Sequence, residues 1–296
     1  MPNGENSVQN VREEDTKAWR RGIAADTQSY IPSVLSLLAT SAPRNAYLTR
    51  WQDLTPLDKL NPYYPNISTK VTVIFKDTLD AAIALEQSKE EMGDLDEGKV
   101  CVLNFANAYH AGGGWLNGQS AQEEQLCFRS TLSAALPERF YPIQAGECIY
   151  SPSIFVFKDN EEKDFGYMWC GQKNEYMPEV SVISVAATNR PALNADNTAY
   201  GTEREANLMK DNVRLVLRLA AYHHHRRLVL GALGCDIFGH PTGVVAQIFH
   251  DVLKEAEFGG WFERITFAIL DKSRDGKNFQ TFKSTLDGLS MVWMES

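Results

Sequence analysis

Lys99-Val100-Cys101-Val102-Leu103-Asn104-Phe105, then ANAYHAGGGWLNGQSA (106–121), then QEEQLCFRSTLSAAL (122–136) is the stretch whose reading decides the fold. The first seven residues are a short, nearly continuous apolar run, as expected of a strand covered on both faces. The glycine-rich middle reverses the chain, and the last part has the apolar spacing of a helix that opens on acids. Strand, loop and helix in that order are the unit of a parallel sheet. The unit recurs outward in both directions. VTVIF (71–75) precedes TLDAAIALEQSKEE (78–91), and CIYS and IFVFK occupy 148–158. VSVISVA (180–186) precedes a helix over 203–222, LVLGAL (228–233) one over 244–258, and RITFAIL (264–270) a final helix near Phe279. The fold class expected is α/β, with a mixed sheet between two helical layers.

Upstream of this pattern the sequence changes character. Residues 1 to about 10 read as a frayed polar tail, and residues 12–38 as two short helices, the second opening at Ile31-Pro32. Asn61-Pro62-Tyr63-Tyr64-Pro65 breaks regular structure. The division expected is an N-terminal helical extension over 1–65 and a single α/β domain over 66–296.

The chain of 296 residues is 44% hydrophobic and 23% charged, enough apolar material for a large core. With 29 Lys+Arg against 38 Asp+Glu its net charge is −9, which repels polyanions, so direct nucleic-acid binding is not expected. Any phosphate must be held locally. Cys101, Cys127, Cys148, Cys170 and Cys235 are scattered and never in C-x-x-C spacing, which argues against disulfides and zinc and for a reducing compartment. The apolar runs are too short for a membrane span, and the first thirty residues lack the core of a signal peptide. The expectation is an intracellular protein of the cytoplasm or nucleus.

Gly112-Gly113-Gly114 lies beyond a strand end, where ligands bind in open α/β sheets. Glycine N–H groups can approach an anion closely, and the next helix adds the positive end of its dipole; the alternative is a plain chain reversal. Glu123 and Glu124 open that helix. A glutamate desolvated near a bound anion keeps its proton and can serve as a general acid, whereas first-turn acids also simply complement the helix dipole. A second glycine-rich loop, Gly231 to Pro241, follows LVLGAL, so two loops could clamp a diphosphate. Within it Phe238 is either a sugar-packing or a core residue, and Asp236 is more in keeping with a loop-stabilising residue than a catalyst. Asp77 is a helix N-cap or an adenine-reading acid, and Trp115 covers a ligand or plugs the core. The acidic run 159–164 reads as a solvated hairpin loop. His223-His224-His225 reads as a solvated helix end in preference to a metal site, because three consecutive imidazoles cannot face one ion. No thiol nucleophile is indicated for Cys127 or Cys235.

Gly112-Gly113-Gly114 followed after seven residues by Gln122-Glu123-Glu124 resembles the GGG-x(6–8)-QEE signature of poly(ADP-ribose) glycohydrolases of the microbial type. Phe105-Ala106-Asn107, Ile149-Tyr150-Ser151-Pro152, Val156 to Asp159, the VSVIS strand and the GALGC loop extend that resemblance from about Val71 toward the C-terminus. It implies a macrodomain-like fold that hydrolyses the ribose–ribose O-glycosidic bond of poly(ADP-ribose) without metal or organic cofactor. Its substrates would be the polymer or ADP-ribosylated proteins, and its product ADP-ribose. Glu124 then takes the role of the acid/base, and Glu123 holds the hydroxyls of the scissile unit. Asn107 bonds the distal ribose, Gly112 to Gly114 and Gln122 line the catalytic loop, and Gly234, Cys235, Asp236, Ile237 and Phe238 form a second phosphate loop. Asp236 departs from the family pattern, in which glycine is usual there. An ADP-ribose reader without turnover and a mono-ADP-ribosyl hydrolase remain alternatives.

Overall fold

A computed structural model describes residues 4–37, 45–88, 99–168, 177–271 and 275–291. Among these residues eight strands form one sheet: β1 (Tyr47–Arg50), β2 (Thr69–Ile74), β3 (Cys101–Phe105), β4 (Glu147–Phe155), β5 (Glu179–Val185), β6 (Arg227–Leu230), β7 (Arg264–Ala268) and β8 (Ser290–Met291). Their order is β1-β4-β5-β3-β6-β7-β2-β8. The central strands from β5 to β2 run parallel, and β4, β1 and β8 are antiparallel additions at the edges. The expected mixed sheet is therefore present. CIYS and the first two residues of IFVFK, Ile154 and Phe155, fall in the single strand β4, whose register shifts between Ser151 and Ile154, where Pro152 has no N–H to donate.

Among the described residues six α-helices cover the sheet: α1 (Gly4–Leu37), α2 (Thr78–Gln87), α3 (Gln122–Arg129), α4 (Glu203–Tyr222), α5 (Thr242–Leu253) and α6 (Lys277–Leu286). One face of the sheet, with Val71, Val73, Leu103, Leu228 and Phe267, packs on α4, α5 and α6. The opposite face, with Val102, Ile149, Val180, Val182 and Val229, packs on α1, α2 and α3. This alternation of apolar residues to two faces produces the three-layer α/β/α arrangement.

Two local expectations are corrected. The N-terminal segment forms one helix, not a frayed tail and two short helices, and it runs through Pro32. Ala24, Thr27, Ile31 and Val34 recur on one buried face, and that packing outweighs the missing proline hydrogen bond. Buried Lys158 ties the same face to Asp26 at 2.5 Å and to Thr27 Oγ1 at 2.9 Å. Residues 1–65 also supply β1, which the sequence pattern did not suggest. The helix from Gln122 ends at Arg129 because Ser130 turns its hydroxyl back to the Leu126 carbonyl at 2.7 Å and its backbone bridges to Val156. Among the described residues no helix is long and apolar enough to cross a membrane.

Candidate active site

The parallel strands β3, β6, β7 and β2 end on the same side. There they enclose a cavity of about 450 Å³ lined by Phe105, Ala121, Gln122, Gly234, Phe238 and Ile269, among others. It opens because β3 and β6 pair only at Cys101–Leu228 and Val102–Val229 and then diverge. Gln122 fills the gap. Its Oε1 accepts the Phe105 N–H at 2.9 Å, and its Nε2 donates to the Leu103 carbonyl at 2.7 Å and to Thr78 Oγ1 at 3.3 Å. The amide thus stands in for a missing strand neighbour and binds α3 to the end of β3. Its polar atoms are spent on the scaffold, so Gln122 offers the cavity its stem only.

Both glutamates of α3 are buried. Glu124 Oε1 accepts the Gly114 N–H and Oε2 the Ala121 N–H, each at 2.9 Å. Glu123 Oε2 accepts the Asn107 N–H at 2.8 Å, and its Oε1 takes Nδ2 of Asn104 at 3.2 Å. Asn104 is held in turn by Ser184 Oγ at 3.0 Å. Gly113 sits against the two carboxyl groups: a Cβ there would collide with Glu124 Oε1 and lie 3.0 Å from Glu123 Oε2. Its φ of +61° and that of Gly112, +75°, curl the loop around the pair.

The glycine N–H groups do not have the use expected of them. Gly113 donates to the His110 carbonyl, Gly114 to Glu124, and Gly112 faces the Glu123 carboxylate. The triple glycine is therefore a cradle for two carboxylates, with no N–H left over for an anion. Asn107 likewise spends its side-chain oxygen on the N–H groups of Tyr109 and His110, an Asx turn that leaves its amide NH₂ as the group able to reach a ligand.

Burial pushes the Glu123 carboxyl up to about 8; the Asn107 N–H and the Asn104 amide oppose the shift, and the charge of Glu124 adds to it. Two groups nearby went unnoticed in the sequence. Asn104 Oδ1 and the Tyr141 hydroxyl are buried without a hydrogen-bond partner among the described residues, and the Tyr141 phenol is pushed far up by burial and by the charge of Glu123. The shift predicts a pH-dependent stability difference. Between its ordinary value of 4.5 and about 8, Glu123 ionises in the unfolded chain while the folded protein keeps the proton. Its contribution to stability is complete below 4.5 and is lost as pH rises to about 8, at up to about 1.4 kcal/mol per pH unit. The melting temperature of Glu123→Gln relative to the unsubstituted protein rises from pH 5 to pH 8 and levels off above it. A difference that stays constant over that range shows Glu123 to be ionised in the fold.

Gly234 to Phe238 meets the other side of the cavity. Leu233, Cys235, Gly239 and His240 spend their N–H groups on carbonyls within the loop, while those of Gly234, Asp236, Ile237 and Phe238 have no partner among the described residues. Unspent backbone N–H groups, the kind of donor that can hold an anion, therefore lie in this loop and not in the triple glycine. His240 shapes the loop. Its Nε2 donates to the Thr188 carbonyl at 2.7 Å, so its Nδ1 accepts from the Tyr200 hydroxyl at 2.7 Å, and burial holds the ring neutral. The ring lies where a Cβ on Gly234, at φ +76°, would fall. Neither His240 nor Tyr200 has a spacing signal in the sequence. Phe238 is half-buried and lines the cavity while also touching the core. Cys235 presents its backbone only; burial pushes its thiol up to about 12.

The remaining candidates separate cleanly. Asp77 caps α2 through the N–H groups of Leu79 and Asp80 and pairs with buried Arg129, while also lining the cavity. Trp115 is a core residue packed on Phe128. The acidic run is not merely solvated: Glu161 binds Arg20 of α1 at 2.6 Å and Gln125 of α3 at 3.1 Å. The histidine run is a solvated end only in part: His224 is exposed, whereas His225 is not. His225 is buried between the Tyr150 hydroxyl and the Lys99 carbonyl, and burial pushes it down to about 4. Cys101, Cys127, Cys148 and Cys235 are buried free thiols, and Cys170 lies outside the described residues. Among the described residues no three His, Cys, Asp or Glu side chains converge as a metal site.

The microbial-type PARG catalytic-domain family, where PARG is poly(ADP-ribose) glycohydrolase, matches residues 21–159, which contain both carboxylates and the glycine loop. No curated protein matches in sequence. Among solved structures, the PARG of Thermomonospora curvata is 29% identical with a TM-score of 0.73, over 90% of this chain and 98% of the other. The same enzyme bound to the inhibitor ADP-HPD is 30% identical with a TM-score of 0.70, over 89% and 97% of the two chains. The PARG of Deinococcus radiodurans in complex with ADP-ribose is 27% identical with a TM-score of 0.66, over 83% and 95%. Likeness over nearly the whole of those chains joins the glycine-cradled carboxylate pair as evidence, and the chain belongs to the microbial-type poly(ADP-ribose) glycohydrolase family.

Proposed function

We propose that the protein is a poly(ADP-ribose) glycohydrolase that releases ADP-ribose by glutamate acid/base catalysis, with residues 66–296 as its catalytic domain and 1–65 packed on it. The observation that carries this reading is the carboxylate pair at the N-terminus of α3: Glu124 accepts the N–H groups of Gly114 and Ala121, and Ala121, though neither carboxylate, lines the cavity together with the loop of four unspent amides. Diphosphate on Gly234 to Phe238 and ribose toward Asn107 would place a ribose–ribose linkage against Glu124. Glu124 protonates the leaving 2′-oxygen as the C1–O bond breaks, and the resulting carboxylate accepts a proton from the water that attacks the oxocarbenium-like centre. Glu123, protonated at neutral pH, holds the hydroxyls of the scissile ribose. Atoms balance with one water consumed and no metal or cofactor required.

The test is incubation of the full chain with automodified polymer and chromatographic resolution of the products. Free ADP-ribose is expected as the main product. Polymer that is retained but not shortened would make the protein a reader, and release restricted to protein-linked single units would make it a mono-ADP-ribosyl hydrolase.

A further inference from the structure

The cavity beyond the strand ends is lined by three carboxylate side chains, Asp77, Asp236 and Asp271, and by no cationic one among the described residues. Two of the three are committed elsewhere. Asp77 is neutralised by Arg129, and Asp271 accepts the N–H groups of Asn278 and Phe279 at the start of α6. Asp236 is different: it is exposed, its side chain makes no hydrogen bond or ion pair among the described residues, and it stands within the run whose residues with unspent amides line the cavity. The neighbouring cation, Arg190, meets this loop through its backbone N–H on the Phe238 carbonyl, and its side chain is not part of the cavity lining.

An anion on these amides is thus attracted by fixed dipoles and repelled by one uncompensated charge. The attraction depends on the oxygens that reach the amides, whereas the repulsion grows with the whole charge of the ligand. A diphosphate esterified at both ends carries a single charge on each phosphate. A terminal phosphate carries about 1.5 to 2 charges near neutral pH, because its second pKa is about 6, so ADP exceeds the doubly esterified diphosphate in charge and ATP exceeds it further. We propose that Asp236 is a specificity-determining residue that admits a doubly esterified nucleoside diphosphate and disfavours free nucleoside diphosphates and triphosphates, which share its adenosine and phosphates. The proposal rests on the reading of this cavity as an ADP-ribosyl site. Under it, Asp236 keeps free nucleotides from competing with the substrate.

The test is calorimetric titration of the full chain and of Asp236→Asn with ADP-ribose, ADP and ATP in magnesium-free buffer at low and high salt. Asp236→Asn is expected to tighten ADP-ribose by about threefold and ATP by about tenfold, with ADP between them, as befits one exposed charge acting on ligands of different charge. The differences narrow at high salt, and Asp236→Glu restores the discrimination. Equal gains for the three ligands, or no gain, overturn this inference alone. Absence of ADP-ribose binding to every variant overturns the reading of the site, and the inference with it.

Discussion

Glu124→Gln lowers the rate of ADP-ribose release from polymer by about 10²–10⁴-fold, the range for removal of a general acid/base. The geometry makes a second effect unavoidable. Each oxygen of Glu124 accepts one backbone N–H, from Gly114 and from Ala121, so a glutamine must turn its NH₂ toward one of them. One N–H loses its acceptor, at a cost of about 1–3 kcal/mol in folding stability. Glu124→Ala removes both acceptors and destabilises further. ADP-ribose affinity should change little in Glu124→Gln, because the proposed site holds the diphosphate on the opposite loop. Product analysis with automodified polymer, a thermal melt and calorimetry separate the three effects. Undiminished release in both variants would remove Glu124 from the mechanism.

Gly113→Ala is expected to disable the enzyme without touching a reacting group. Two costs add. The alanine Cβ collides with Glu124 Oε1 and presses on Glu123 Oε2, and both carboxyl groups are buried with little room to retreat. The φ of +61° then costs an L-residue about 1–2 kcal/mol. A displacement of about 1 Å at the reacting group is enough to lower the rate about 10²-fold. The expected result is a loss of turnover of about that size together with a destabilisation of about 2–4 kcal/mol, read by product release and chemical denaturation. Gly243→Ala in α5 is the matched control. Nothing lies within 4 Å of its Cβ and its φ is not positive, so it should leave turnover intact and be neutral or stabilising. Activity in Gly113→Ala equal to that of the control would mean that the carboxylates are not held by this loop.

The distance between the two glutamates' readings in sequence and in structure shows where sequence reasoning stops. A desolvated, proton-retaining glutamate is foreseeable from two acids at a helix start beside glycines. Which one is desolvated is not, since Glu123 and Glu124 are adjacent and diverge by about 100° around the helix. The upward shift falls on Glu123, under the Asn107 N–H and the Asn104 amide, while Glu124 is held by Gly114 and Ala121. Likewise, glycine-rich loops at two strand ends are visible as composition, but which of their N–H groups remain unspent depends on carbonyls and carboxylates brought from elsewhere. That is why the unspent amides are those of Gly234, Asp236, Ile237 and Phe238 and not those of the triple glycine. His240, Tyr200 and Ser184 had no local pattern because their partners are tens of residues away in the chain.

By itself the sequence determined the layered α/β class, because runs such as VTVIF and VSVISVA alternating with amphipathic segments encode burial through local periodicity. It also determined the family, through a glycine triplet and a glutamate pair whose spacing survives in one dimension. Only the tertiary structure decided that residues 4–37 form one helix through Pro32, that 47–50 add an edge strand, and that Gln122 serves as a surrogate strand neighbour. It alone decided which charges are neutralised and which, like Asp236, are left bare toward the cavity. Periodicity is a property of neighbouring residues, whereas hydrogen-bond satisfaction, desolvation and repulsion depend on groups that meet only when the chain has folded.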